Sequence, residues 1–359
     1  MSHFHILGFF EKYVKLHYIF LMSNIKPFKG YFPNRNRMKH FFLFFLIIFF
    51  TVKGFAQKPI LLDDIHYYVS DSSKRQVAID YFKTFFKGRE MAEQPMNPLS
   101  FIDFVSLRPD ESTLNISSPG PFPGIKVGDP KRWEREKIKP DPKNPAMYGV
   151  RWLAINTKSI KKTVKKLLKA GYDFALEDFT LPTEPDVNAV AMWGFDYNII
   201  VLVERPKLKA KTPYGIDHLQ LLVKNLEDNI KFYQDVLSAE VLEKTGRSAV
   251  LKIGNHKFVL SEPEVLGLVR EQVAERNPKK FVANIDHLGF LYEDIEPAFY
   301  GAKANNYKIV MEPRPLMVYD KPTPYTFCIL MSPDNLQIEL EEEAGRITGR
   351  KMYKDTLVK

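Results

Sequence analysis

The chain has 359 residues, of which 45% are apolar and 13% aromatic, so it is long enough for two or more domains with substantial cores. Its net charge of +9 belongs mainly to residues 1–56, which hold eight lysines and arginines and one acid, whereas residues 57–359 hold 44 basic and 42 acidic residues. This near-neutral part lacks the clustered basic surface of a nucleic-acid-binding protein, so we expect no nucleic-acid partner.

Residues 38–56 have the pattern of a secretory signal peptide. A short basic start leads into an apolar run at 41–50, and the small residues Gly54 and Ala56 precede a cut before Gln57. Ten apolar residues form a helix of about 15 Å, half of the roughly 30 Å of a bilayer core. The sequence therefore predicts export, to the periplasm or the medium, without a stable membrane anchor.

Residues 1–37 precede the start of that pattern, and signal peptides normally begin at the methionine before the basic start. We interpret them as a doubtful extension, with Met38 as the true start. The alternative is a long leader, and neither segment is expected to enter the fold.

The rest of the chain repeats one order of elements four times: a strand, a helix and then short strands. The predicted elements of the first copy lie at 65–69, 75–87, 101–107 and 114–116, and those of the second at 148–153, 160–170, 187–193 and 199–203. The third copy has its elements at 214–223, 226–237, 248–253 and 257–260, and the fourth at 285–291, 296–304, 308–311, 325–331 and 336–340.

One βαβββ unit cannot close its own sheet, so the units are expected to pair into cupped sheets. We expect an α+β fold with two mixed-sheet domains, each made of two neighbouring units, at 60–205 and 213–343. The lysine- and proline-rich stretch 206–213 reads as the linker between them. The concave face of such a cup is a natural ligand site.

Three residues suggest a metal site. His218 and His287 occupy the same place in the third and fourth copies, each within an Ile-Asp-His-Leu string. Equal registers direct both imidazoles to one face of a paired sheet. Glu339 lies between apolar residues of the last strand, where a buried carboxylate needs a positive partner.

Two imidazoles and one carboxylate form the ligand set of many Fe(II) sites and also hold Zn(II), Mn(II) or Ni(II). The sequence thus predicts one divalent metal ion, with Fe(II) favoured by the ligand set. A histidine inside a strand is also often a hydrogen-bonded core residue, and that interpretation stays open for each of the two.

In the second and third copies, positions that correspond to these predicted ligands hold apolar residues. Trp152 stands where His218 stands, and Val201 and Val259 stand where Glu339 stands. In the first copy the register is ambiguous between Asp64 and His66, with Asn115 near the position of the glutamate. We therefore interpret 60–205 as a degenerate, structural domain.

The strings Asp217-His-Leu, Val223-Lys-Asn-Leu226 and Ser332-Pro-Asp-Asn, with the Glu339 strand, resemble modules of the vicinal oxygen chelate superfamily of glyoxalases, bleomycin-resistance proteins and extradiol dioxygenases. The resemblance is good over 213–343 and weak over 60–205. It implies metal ligation by His218, His287 and Glu339 in a two-domain, four-module protein.

The resemblance implies an exported metal-dependent dioxygenase, lyase or isomerase that chelates vicinal oxygens of a small substrate. The alternatives are a non-catalytic small-molecule-binding protein of the bleomycin-resistance type and a structural protein with a vestigial site. Homo-oligomerisation is left open. Candidate pocket residues are Gln220, Gln337 and Arg314 for substrate binding and Tyr319 and Tyr325 for proton transfer.

Overall fold

The structure, a computed structural model, describes residues 58–59, 61–70, 73–90, 102–107, 112–117, 136–138, 146–208, 213–276, 280–282, 284–318 and 321–343. The predicted signal peptide and the segment 1–37 lie outside these residues. Among the described residues, no helix is long and apolar enough to span a membrane.

Four successive modules make up the described chain. The first comprises β1 (Leu61–Tyr68), α1 (Ser73–Phe86), β2 (Arg89–Glu90), β3 (Ile102–Ser106) and β4 (Thr113–Ser117), and the short strand β5 (Glu136–Ile138) follows it. The second comprises β6 (Gly149–Thr157), α2 (Ile160–Lys169), β7 (Phe174–Leu176), β8 (Ala189–Trp193) and β9 (Ile199–Glu204).

The third module comprises β10 (Tyr214–Leu222), α3 (Leu226–Leu237), β11 (Glu240–Thr245), β12 (Ser248–Ile253) and β13 (His256–Ser261). After β14 (Lys280–Val282), which pairs in parallel with β5, comes the fourth: β15 (Ile285–Tyr292), α4 (Glu296–Ala304), β16 (Lys308–Val318), β17 (Lys321–Met331) and β18 (Gln337–Glu343).

The helices follow from local sequence signals. Before α3, the side chain of Asn225 accepts a hydrogen bond from the backbone N–H of Asp228 at 3.1 Å, which caps the first turn. Ile230 and Tyr233 recur at helical spacing and are buried. Because each helix buries its apolar side, one continuous core includes Phe82, Leu167, Phe232 and Phe299, from the four helices, together with side chains of both sheets.

The modules form two eight-stranded mixed sheets, which confirms the expected α+β fold of βαβββ units in two cups. The first cup has the strand order β16-β17-β18-β15-β1-β4-β3-β2, and the second has the order β11-β12-β13-β10-β6-β9-β8-β7. The first cup therefore combines modules one and four, and the second combines modules two and three.

The expected pairing of neighbouring modules within one sheet, with a boundary at 206–213, is thus corrected. Neighbouring modules do contact each other, but through their helical sides. The ring of Tyr81 lies 4.9 Å from that of Tyr172, and the ring of Phe232 lies 5.0 Å from that of Tyr307. Sheet pairing instead joins the outer two modules and the inner two.

Candidate metal centre

The two first strands of the outer modules meet at the middle of the first cup. β1 and β15 run antiparallel, with His66 directly opposite His287. Opposed residues place their side chains on the same face of a sheet, and the two imidazole rings lie 4.3 Å apart between centroids. Tyr68 stacks on His66 at 4.9 Å. Two histidines from distant parts of the sequence therefore lie side by side in the interior.

Acidic side chains surround this histidine pair. Oε2 of Glu339, on β18, lies 3.5 Å from Nε2 of His287, and Oδ2 of Asp64 lies 3.5 Å from Nδ1 of His66. Asp64, His66 and His287 each offer a ligand atom within 4.8 Å of the others. All four side chains are buried.

Gly289 leaves the space in which two of the acids meet. A Cβ atom at this position would lie 1.8 Å from Oδ1 of Asp64 and 1.8 Å from Oε1 of Glu341. The two carboxylates are therefore close neighbours over the glycine. Like charges at this separation require a proton or a cation between them. Nitrogen and carboxylate donors together suit Fe(II), Zn(II), Mn(II) and Ni(II), so these residues fit a divalent metal ion.

Hydrogen bonds around the cluster orient its members. Nδ1 of His287 lies 3.1 Å from Oδ2 of Asp286, and Nε2 of His66 lies 2.7 Å from the hydroxyl of Ser117. The amide of Asn115 donates to Oδ2 of Asp64 at 2.7 Å. Such outer partners fix the ring and carboxylate orientations that a metal ion needs.

Tyr325 stands beside the carboxylates. Its hydroxyl donates to Oε1 of Glu339 at 3.2 Å. Burial, followed by the negative charges of Glu341, Glu339, Asp64 and Asp63, raises the pKa of Tyr325 well above its usual range. The phenol is therefore a hydrogen-bond donor that keeps its proton at neutral pH.

The neighbouring strands supply an apolar wall. Met311, Phe327 and Ile329 form a buried cluster next to Tyr325. Phe327 is paired with Glu341 and Ile329 with Glu339, so the wall lies on the face of the acids. The first cup thus combines a polar floor with an apolar side.

Two predicted substrate residues border this cup. Gln337 is paired with His287, and its buried Oε1 has no hydrogen-bond partner among the described residues. Arg314 is opposite Phe327, and its Nε likewise lacks a partner within the described part of the chain. Tyr319 lies outside the described residues.

The structure does not bring the three predicted metal ligands together. His287 and Glu339 are neighbours, but His218 lies on β10 in the second cup, and Gln220 lies there with it. The expected grouping of His218 with His287 is therefore corrected, because the third and fourth modules do not share a sheet. Asp64 and His66, not His218, lie beside His287.

The interpretation of 60–205 as structural is corrected for its first module, which supplies Asp64 and His66. Sequence alternation alone left their register open because β1 has two irregularities, between Leu62 and Asp64 and between His66 and Tyr67. The sequence did hold one signal for this site. His66 is one of only four histidines in residues 57–359.

Comparison with known proteins agrees with this fold. Residues 215–321 match the model of the Glyoxalase/Bleomycin resistance protein/Dioxygenase superfamily. Glyoxalase I from Zea mays is similar with a TM-score of 0.57 and 14% identity, covering 83% of this chain and 96% of that chain. A putative dioxygenase from Bacillus subtilis gives a TM-score of 0.50 and 11% identity, covering 85% and 98%. A search of curated protein sequences found no match.

The family match covers the third module and most of the fourth. The two sheets of βαβββ modules share the fold of glyoxalase I over most of the chain. At these identities, the solved structures establish a shared fold and leave the activity to be argued from the site.

Proposed function

We propose that the first cup binds one divalent metal ion between Asp64, His66, His287 and Glu339, and that the protein is a metal-dependent enzyme. Its reaction would be that of a dioxygenase, lyase or isomerase acting on a small substrate with neighbouring oxygens. The observation that supports this most is the pair of opposed histidines with carboxylates on the same face.

A metal ion held there would act as a Lewis acid on neighbouring substrate oxygens. The chain's own residues supply the rest. Phe327 and Met311 exclude water from one side of the cup. The Tyr325 hydroxyl donates its one proton to Oε1 of Glu339 and holds that carboxylate in place. Oε1 of Gln337, which has no partner among the described residues, can accept a hydrogen bond from a small polar molecule beside the histidine pair.

Metal content tests this proposal with a control built into the chain. Protein purified without added metal is analysed for transition metals as the wild type and as the variants His287→Ala and His218→Ala. We expect about one equivalent of metal in the wild type and in His218→Ala, because His218 belongs to the other cup. The His287→Ala variant should lose the metal. Equal metal content in all three proteins would contradict the proposal.

Turnover separates an enzyme from a binding protein. The metal-loaded protein is assayed with model catechols, 2-oxo acids and hemithioacetals, with Glu339→Gln as the matched variant. Turnover by the wild type that is lost in Glu339→Gln supports the proposal that the protein is an enzyme. Tight binding of these compounds without turnover supports the alternative, a small-molecule-binding protein.

A further inference from the structure

Three polar side chains lie together on one face of the second cup. Trp152 lies on β6, and His218 and Gln220 lie on β10. Gln220 is opposite Trp152, and His218 is opposite Ala154, so all three side chains occupy one face of two adjacent strands. Trp152 also belongs to a buried apolar cluster that includes Val201 and Leu181.

Each of these three side chains has one polar atom without a hydrogen-bond partner among the described residues. Trp152, His218 and Gln220 are 2%, 4% and 0% exposed. Among the described residues, Nε1 of Trp152, Nε2 of His218 and Oε1 of Gln220 have no hydrogen-bond partner. A buried unsatisfied polar group destabilises a fold by roughly 1–3 kcal/mol, so three on one face indicate an occupant that satisfies them.

The orientation of His218 is fixed by ionic contacts that reach the surface. Its Nδ1 lies 2.9 Å from Oδ1 of Asp217, and Arg205 donates two hydrogen bonds to that carboxylate, at 2.8 and 3.0 Å. Arg205 also donates to Glu184, which accepts a further hydrogen bond from Lys257 at 2.7 Å.

Burial raises the pKa of Asp217, but the hydrogen bonds from His218 and Arg205 outweigh burial and hold the pKa well below its usual range. The ionised Asp217 accepts a hydrogen bond from Nδ1–H of His218. Nε2 of His218 is left without a partner among the described residues.

The three atoms specify the chemistry of the occupant. The indole N–H of Trp152 requires an acceptor and Oε1 of Gln220 requires a donor, whereas Nε2 of His218 can pair with either end of an O–H group. An hydroxyl oxygen offers both functions. No carboxylate stands at the positions equivalent to Glu339, where the second cup has Val201 and Val259, so the arrangement does not provide the acidic ligands of the first cup.

We propose that the second cup is a metal-free binding site for an hydroxyl oxygen, supplied by a trapped water molecule or by a small uncharged alcohol. Its polar contacts would be Trp152, His218 and Gln220. This site is independent of the metal centre proposed for the first cup, because it shares no side chain with it.

Crystal structures of the protein and of two variants test the proposal. Electron density for an oxygen should appear within about 3.2 Å of at least two of the three polar atoms. Trp152→Phe removes the donor, so the oxygen should be lost or displaced in that variant. Trp193→Phe, which changes a residue packed against the same cluster, is the control in which the oxygen should stay.

The absence of such density in the wild type, or density that is unchanged in Trp152→Phe, would overturn the proposal. The source of the hydroxyl is distinguished with 1,2-propanediol as the probe. A rise in Tm that the wild type shows and Trp152→Phe does not assigns an alcohol. Single-atom density without any effect of the diol assigns water.

Discussion

At the scale of the residue, the first cup depends on the absence of one side chain. Gly289 is flanked by two carboxylate oxygens at distances that no Cβ atom tolerates. The glycine is therefore required because two carboxylates approach its backbone closely, and not because the chain turns there. The sequence could not show this, because the approach involves residues 225 positions upstream and 52 positions downstream of Gly289.

We expect Gly289→Ala to displace Asp64 and Glu341 and to weaken metal binding by roughly tenfold or more. Gly301→Ala is the matched control, because a Cβ atom there meets nothing within 4 Å and the position lies in α4. Metal titration by calorimetry, with circular dichroism to confirm folding, measures the effect. Equal metal affinity in the two variants would refute the role assigned to Gly289.

His256 predicts an acid sensitivity of the fold. Its Nε2 donates to the hydroxyl of Ser112 at 2.9 Å, since that hydroxyl itself donates to the carbonyl oxygen of Leu62. Burial lowers the pKa of His256 from 6.5 to about 4. The imidazole is therefore neutral in the fold and charged in the unfolded chain at pH 5. Its contribution to stability is complete above pH 6.5 and is lost as the pH falls towards 4.

At pH 5 this linkage destabilises the fold by about 2 kcal/mol relative to pH 8. The variant His256→Gln retains a donor but does not titrate, so its free energy of unfolding should change by about 2 kcal/mol less between these two pH values. Urea unfolding of both proteins at pH 8 and pH 5 provides the comparison. Identical pH dependence would show that His256 is not neutral in the fold.

At the scale of the element, most helices could be predicted and the sheet pairing could not. The helical spacing predicted 226–237 and 296–304, which are the bounds of α3 and α4. Those signals are local. The partner of β1 is not local, because β1 alternates apolar and polar residues in the same way beside β6 or β15. β1 pairs with β15 because of the packing of the complete core, which no local pattern in the sequence shows.

An engineered disulfide tests this strand pairing. Leu61 is directly opposite Leu291 in the antiparallel pair of β1 and β15, at a separation suited to a disulfide. We expect the double variant Leu61→Cys/Leu291→Cys to form an intrachain disulfide under mild oxidation, as seen by mass spectrometry. The control Leu61→Cys/Leu153→Cys joins β1 to the second cup and should remain reduced. A disulfide in the control variant and none in Leu61→Cys/Leu291→Cys would show that neighbouring modules share a sheet after all.

At the scale of the whole molecule, the two cups differ in chemistry. The first has histidines and carboxylates together on one face. The second has Trp152, Val201 and Val259 at the equivalent positions. The sequence identified these apolar substitutions correctly but assigned them to the wrong partner modules. The sequence grouped His287 with Glu339 correctly because both belong to one module. His66 was missed because two irregularities in β1 hide its register.

Export remains a prediction from residues 38–56. If they act as a signal peptide, the protein recovered from the periplasm or medium should begin at Gln57, with that residue open or cyclised. Mass analysis of the N-terminus measures this directly. Recovery of an intact 1–56 segment on the exported protein would contradict it.

The location of the metal ion tests the central claim most directly. Crystals of protein purified without chelators are measured on both sides of the absorption edge of the metal found by elemental analysis. We expect one anomalous peak in the first cup, within about 2.0–2.3 Å of nitrogens of His66 and His287 and of a carboxylate oxygen. A peak beside His218, or no peak in fully folded, metal-supplemented protein, would contradict the account.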